Sequence, residues 1–180
     1  DVLLMHFFFS REFSDANKRA NYEFYELRCS HESSLSPGVH SILAAELGRH
    51  DKAFSYWGHS ARLDLDDFNR NTDHGLHTTS MAASWLNVVY GFGGLRTDGP
   101  CLSFRPSLPE KWNQFSFKLQ IREGTLTVTV TPKRTEFSIA GRESLEIEVF
   151  GKRRMVTAGT MLKVPMPKKA TPMPNRAKIL

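Results

Sequence analysis

Apolar residues recur along this chain with two different periods, and the change falls near residue 96. Before it the spacing is helical. Asp1 to Phe9 is apolar on most sides and reads as the end of a buried helix. Ser14-Asp15 starts a second helix that runs to about Leu27, with Ala20, Phe24 and Leu27 on one face. Ser36 is suited to cap the next helix and Pro37 to its first position, where a missing N–H costs nothing. Val39, Ile42, Leu43 and Leu47 follow at helical spacing, and Gly48 closes that helix. Asp51 opens another, with Phe54, Trp57 and Ala61 inward. Thr79 to Tyr90 forms the last, with Trp85 in the core and an exit at Gly91-Phe92-Gly93-Gly94. Successive antiparallel helices joined by loops predict an all-α bundle or part of an α/α toroid.

After residue 96 the period is two. Phe115, Phe117, Leu119 and Ile121 alternate with polar positions, as do Leu126, Val128 and Val130 against Thr125, Thr127, Thr129 and Thr131. Phe137 and Ile139 follow, then Leu145, Ile147 and Val149. Turn residues separate these runs at Glu123-Gly124, Gly141-Arg142 and Gly151-Lys152. Short, regularly spaced strands predict a β-sandwich or jelly roll. Pro100 to Trp112, with Pro106 and Pro109, reads as the connection.

Charge divides along the same line. The net +5 of the 180-residue chain conceals eight basic against twelve acidic residues up to residue 95, and sixteen against seven after it. The last thirty residues hold eight basic and no acidic groups, but they lack interleaved aromatics and contain Pro165, Pro167, Pro172 and Pro174. A loosely attached, disordered tail over residues 158–180 is expected, rather than a nucleic-acid surface. No run reaches transmembrane length, and Val2 to Phe9 has neither a basic flank nor a cleavage site, so no membrane or secretory role is expected. The opening at Asp1, in mid-pattern and without an initiator Met, reads as a fragment of something longer. Cys29 and Cys101 make no disulfide framework and neither has a soft metal ligand beside it in sequence; free thiols in a cytoplasmic protein are the simplest expectation.

All seven histidines lie before residue 78, which concentrates candidate chemistry in the helical half. Asp73-His74-Gly75-Leu76-His77-Thr78-Thr79-Ser80-Met81 packs hydroxyls and imidazoles before an apolar helix. A helix start with unpaired amides and a positive dipole end suits an anion, although a plain capping loop fits the same residues. Ser30 to Pro37 repeats the kit. The acidic run Asp64, Asp66 and Asp67 reads as a helix end and turn rather than a catalytic pair. His74 and His77 lack further ligands nearby, so no metal is expected there.

Taken together, His31 to Pro37, His40 to Gly48, Ser60 to Asp67, Asn71-Thr72, Gly75 to Ala82, Gly91 to Leu95, Leu102 to Pro106 and Leu108 to Trp112 resemble the C-terminal part of glycoside hydrolase family 65 over roughly residues 1–157. That family includes maltose, trehalose, nigerose and kojibiose phosphorylases. The resemblance implies that residues 1–95 are the last helices of an (α/α)6 barrel and that residues 96–157 are a small all-β, jelly-roll-like C-terminal domain. It implies phosphate binding by His77, Thr79 and Ser80, and substrate binding by His31, Ser33 and Ser34 at the same mouth. The implied reaction is inverting phosphorolysis of an α-glucosidic bond to β-glucose 1-phosphate, with inorganic phosphate as co-substrate and neither cofactor nor metal. No catalytic residue falls in this chain on that reading: the general-acid Glu belongs to a missing N-terminal part, and Glu32 is not its equivalent. The implied partners are a disaccharide, phosphate and the rest of the enzyme, with room for a homodimer. A family hydrolase of trehalase or α-glucosidase type and a non-catalytic carbohydrate-binding module are the alternatives. The chain departs from the family pattern at Leu27-Arg28-Cys29, where Pro-Leu-Thr is frequent, and at Glu32 and His74, where Asp is frequent.

Overall fold

A computed structural model describes residues 2–31 and 33–167. Five helices come first: α1 (Val2–Phe8), α2 (Asp15–Glu26), α3 (Ser36–Glu46), α4 (His50–Arg62) and α5 (Thr78–Leu86), the last continued by a π-helical turn over Asn87–Phe92. Seven strands follow: β1 (Leu102–Phe104), β2 (Phe115–Ile121), β3 (Gly124–Val130), β4 (Arg134–Ala140), β5 (Ser144–Val149), β6 (Lys152–Thr157) and β7 (Leu162–Pro165). Helices followed by an all-β unit is the expected fold class.

The centre of the helical layer is α3. Pro37, Gly38, His40, Ser41, Ile42, Leu43, Ala44 and Ala45 are all buried on it, because α1, α4, α5 and the π-helical turn surround it. Its start differs from expectation by one residue. Leu35 holds the cap position without a side-chain bond, and the Ser36 hydroxyl instead donates to the Ser33 carbonyl at 3.3 Å. Two close approaches set the direction of α5 against α3. A Cβ on Gly38 would fall 2.7 Å from that of Ala83, while Gly91 meets Ile42 and Ala45 further along both elements. The two helices therefore run parallel, and both start at the same end of the layer.

Ser14 caps α2 as expected, accepting from the Asn17 amide at 3.2 Å. The buried face of α2 is a correction. Ala20, Phe24 and Leu27 point outward, with Leu27 78% exposed, and Lys18 and Tyr22 point inward. The cause is ionic. Lys18 Nζ donates to Glu46 Oε1 at 2.6 Å and to Ser10 Oγ at 2.7 Å, and Arg96 donates to Glu46 Oε2 at 2.7 Å. One half-buried carboxylate thus ties α2, α3 and the segment leading into the sheets. Burial alone pushes the Glu46 carboxyl up, but Arg96 and Lys18 outweigh it and hold the group below its ordinary range. Trp85 is a second correction: it is half exposed, whereas Trp57 packs against Trp112 with ring centroids 4.8 Å apart.

The strands form two sheets, β1-β5-β6 and β2-β3-β4-β7. Their facing sides interleave Phe104, Phe117, Leu126, Val128, Val130, Phe137, Ile147, Val149, Val156 and Val164 in one core, so the unit is a sandwich. Every long alternating run of the sequence is a strand. The β5–β6 link needs positive φ at both Phe150 (49°) and Gly151 (75°), the requirement of a tight hairpin that follows the strand twist.

Three strands were not expected. β1 lies inside the stretch read as a connection and pairs in parallel with β5, Leu102 opposite Ile147. β6 buries Val156 and exposes Lys152, Arg153 and Arg154, a charged edge that resists pairing with other chains. β7 lies in the segment expected to be loose. It pairs with β4 from Arg134↔Pro165 to Phe137↔Leu162, because Val164 buries its side chain in the sandwich. The remainder of that tail, residues 168–180, lies outside the described residues. Among the described residues, no helix is long and apolar enough to cross a membrane.

Candidate anion site at two helix starts

Because α3 and α5 run parallel, the loops before them, residues 30–35 and 75–78, open at one end of the helical layer. Leu35 and Thr79 line a common, mainly apolar cavity of about 430 Å³ together with Phe7, Val39, Ile42 and Leu86, while His77, Ser33 and Ser34 lie outside its lining. The second loop is held by Asp64, in the turn just after α4. Its carboxylate accepts from the His77 backbone N–H at 2.8 Å and from His77 Nδ1 at 2.5 Å. Asp64 sits below the usual carboxylate range, chiefly through the His77 side-chain bond. With Nδ1–H committed to a carboxylate, Nε2 of His77 is the nitrogen left to meet a ligand. Thr78 and Thr79 are exposed beside it.

The helix start itself is less open than the sequence suggests. The Thr78 amide bonds Leu76 O at 3.1 Å, and the Ser80 and Met81 amides bond His77 O at 2.9 and 3.2 Å. Its capacity for an anion rests on the His77 imidazole, the threonine hydroxyls and the dipole. Ser80 lies apart from these exposed hydroxyls: its side chain is buried and its Oγ donates to the Ser60 carbonyl at 3.0 Å, so its hydroxyl fastens α5 to α4.

In the first loop Ser33 is exposed and Ser34 half-buried. The Ser33 Oγ accepts from the Leu35 amide at 3.3 Å. Glu32, between them and His31, lies outside the described residues. His31 has left-handed backbone, φ 56°. Its ring nitrogens contact Ser36 Oγ at 3.2 Å and Tyr56 Oη at 3.0 Å, and Tyr56 donates to Glu26 Oε1 at 3.0 Å. The ring of His40 stands edge-on to that of His31, centroids 4.5 Å apart. Burial lowers the pKa of both imidazoles, with each other's charge adding to the effect at His31. Cys29 closes this cluster: one ligand atom each from Cys29, His31 and His40 lie within 4.8 Å of one another. The sequence reading of Cys29 as isolated from soft ligands is thereby overturned, since the chain reversal into α3 brings His40 back across eleven positions.

The rest of the acidic run organises the loop. Asp66 pairs with Arg62 at 2.5 Å. Asp67 accepts from the Asn71 and Thr72 amides, both at 3.1 Å, and from the Thr72 hydroxyl. The role of Asp64 was not read from sequence. One signal pointed to it: Arg62 at helical spacing accounts for Asp66 locally, while Asp64 has no such neighbour.

Residues 1–86 match the glycosyl hydrolase family 65 central catalytic domain, and residues 95–155 match the glycosyl hydrolase family 65, C-terminal domain. The chain belongs to glycoside hydrolase family 65. It is 47% identical over 150 residues to a maltose phosphorylase of Bacillus subtilis (strain 168), covering 83% of this chain and 20% of that protein. It is 41% identical over 159 residues to an α,α-trehalose phosphorylase of Thermoanaerobacter brockii, covering 88% of this chain and 20% of that one. A solved structure described as a kojibiose phosphorylase from the human microbiome superposes with a TM-score of 0.88 at 39% identity, over 95% of this chain and 25% of the other. The chain thus spans about a fifth of the length of the curated relatives it matches.

Proposed function

We propose that this chain forms the phosphate-side wall of an inverting disaccharide phosphorylase, which cleaves an α-glucosidic bond with inorganic phosphate and releases β-glucose 1-phosphate. The observation that carries the reading is the Asp64–His77 pair at the start of α5, beside the parallel start of α3. When the His77 ring carries both protons, a phosphate seated there accepts from its Nε2–H, and in either state from the Thr79 hydroxyl, with Ser33 and Ser34 on the neighbouring loop. Asp64 is a positioning residue: it fixes the ring, with Nδ1 toward the carboxylate and Nε2 toward the phosphate. Ser80 has no part in this site. In an inverting displacement a general acid protonates the leaving oxygen while phosphate attacks the opposite face of the sugar. On this reading the general acid is a Glu outside this chain.

On this reading residues 1–95 complete a helical barrel and residues 96–157 buttress it, in line with the Lys18–Glu46–Arg96 tie between the two parts. The exposed Phe8, Phe9, Leu27, Leu76 and Trp85 then face the rest of that barrel. The 180 residues by themselves are expected to show no phosphorolysis.

The test is His77→Asn in the complete enzyme, read as sugar phosphate release against phosphate concentration. Losing a charged hydrogen bond predicts roughly a 10- to 100-fold fall in kcat/KM for phosphate, with a smaller change for the disaccharide. An unchanged phosphate dependence removes His77 from the site. Disaccharide cleavage that needs no phosphate favours a hydrolase.

A further inference from the structure

The cluster of Cys29, His31 and His40 is absorbed by neither the fold nor the phosphate reading. His40 is 5% exposed. Its Nδ1 lies 2.8 Å from the Ser36 carbonyl oxygen, and a carbonyl only accepts, so Nδ1 carries the hydrogen and Nε2 of the neutral ring carries the lone pair. That Nε2 is buried without a hydrogen-bond partner, an acceptor removed from water with no donor in return. A histidine whose second nitrogen is anchored on a backbone carbonyl is oriented as metal-bound histidines are. The ligand atoms of Cys29 and His31 lie within 4.8 Å of His40's and of each other.

We propose that Cys29, His31 and His40 form a binding site for a tetrahedral, thiolate-preferring divalent cation of the zinc class. One thiolate and two imidazoles are a borderline-soft donor set that suits Zn²⁺ and disfavours Mg²⁺ or Ca²⁺. Donors around tetrahedral zinc stand about 3.5 Å apart, so the set closes by about 1 Å on loading. His40 is fixed on α3. Cys29 and His31 sit on the loop before it, which supplies the movement. His31 exchanges one of its two hydroxyl contacts for the ion. Glu26, reached through Tyr56, supplies a nearby negative charge. The fourth position falls to water. Loading ties the loop that leads to Ser33 and Ser34 onto α3.

The experiment is a Co²⁺ titration of the reduced, metal-stripped complete polypeptide, read by absorption and independent of any sugar assay. One equivalent is expected to produce the intense visible bands of tetrahedral cobalt and a near-ultraviolet thiolate-to-cobalt band, both displaced by Zn²⁺. Cys29→Ser abolishes the near-ultraviolet band, Cys101→Ser leaves it, and His40→Gln weakens binding by more than about tenfold, with circular dichroism unchanged. In the unmodified protein, Zn²⁺ protects Cys29 from alkylation as read by mass spectrometry, which covers the case where a variant misfolds. Absence of the thiolate band, its survival in Cys29→Ser, or alkylation of Cys29 at the same rate with and without Zn²⁺ overturns the proposal.

Discussion

In the sandwich, Phe104, Phe137, Leu126, Val128 and Ile147 fill the interior with carbon, and Thr135 is its buried polar residue among those described. The helical half buries His6, Ser10, Lys18, His40, Ser41, Ser60, Ser80 and Asn87. The two interiors are held by different forces. The sheets rely on apolar area removed from water, which has no direction and tolerates pH and salt. The helices bury an apolar cluster of their own around Leu43, Leu47 and Phe92, and add polar contacts such as Lys18–Glu46 and Asp64–His77, which demand geometry and respond to protonation. Buried polar groups seldom improve stability over apolar ones of the same shape. They are spread over all the helices, His40 and Ser41 on α3 and Ser80 on α5 among them, while the sandwich has an almost wholly apolar interior.

The largest effects test that contrast directly. Glu46→Ala leaves the buried Lys18 and the half-buried Arg96 without their shared partner and is expected to cost about 3–5 kcal/mol. Phe137→Ala opens a cavity in the sandwich and costs a similar ~3–5 kcal/mol. The two differ in salt and pH response: denaturant unfolding of the Glu46 variant should lose the Glu46 part of the parent's acid sensitivity, and that of the Phe137 variant should keep it. If both variants titrate alike, the contrast between the halves fails.

The pH dependence itself comes next. His31 and His40 are held below their ordinary pKa by burial first, so the unfolded chain takes up protons before the folded one does. Stability therefore falls as pH drops through about 6.5 toward the folded-state values. Glu46 is depressed when folded, and its contribution, full above the ordinary carboxylate pKa of about 4.3, is lost as pH falls through the folded value. Melting temperature of the complete protein against pH should show both steps, and the lower one should be smaller in Glu46→Gln, with Glu26 and Asp64 among the depressed carboxylates that remain.

The smallest effect separates a structural hydroxyl from a ligand. Ser80→Ala should lower stability by about 1 kcal/mol, because the Ser60 carbonyl loses its donor, and should leave the phosphate KM of the complete enzyme unchanged. Thr79→Val should do the reverse. A phosphate effect of Ser80→Ala beyond that of Thr79→Val would return the buried serine to the site.

The strands with long alternating runs were legible because period two needs only a chain segment and one buried side. β6 and β7 were not: Lys152-Arg153-Arg154 leaves no alternation to read, and Val164 lies among prolines. The helices were legible as helices, and Ser14 as a cap, since both depend on neighbours within a turn. The inward face of α2 was not, because Lys18 is driven inside by Glu46, twenty-eight positions away.

By itself, then, the sequence determined the two periods, their order, the family and the two hydroxyl-rich loops before helices. These follow from local periodicity and local composition. Only the tertiary structure decided that α3 and α5 start at the same end, that Asp64 grips His77, that Ser80 turns its hydroxyl away, and that His40 meets Cys29. Each of those depends on where a distant segment packs. A hydrogen bond or a ligand set is decided over a few ångströms in space, whatever the separation along the chain.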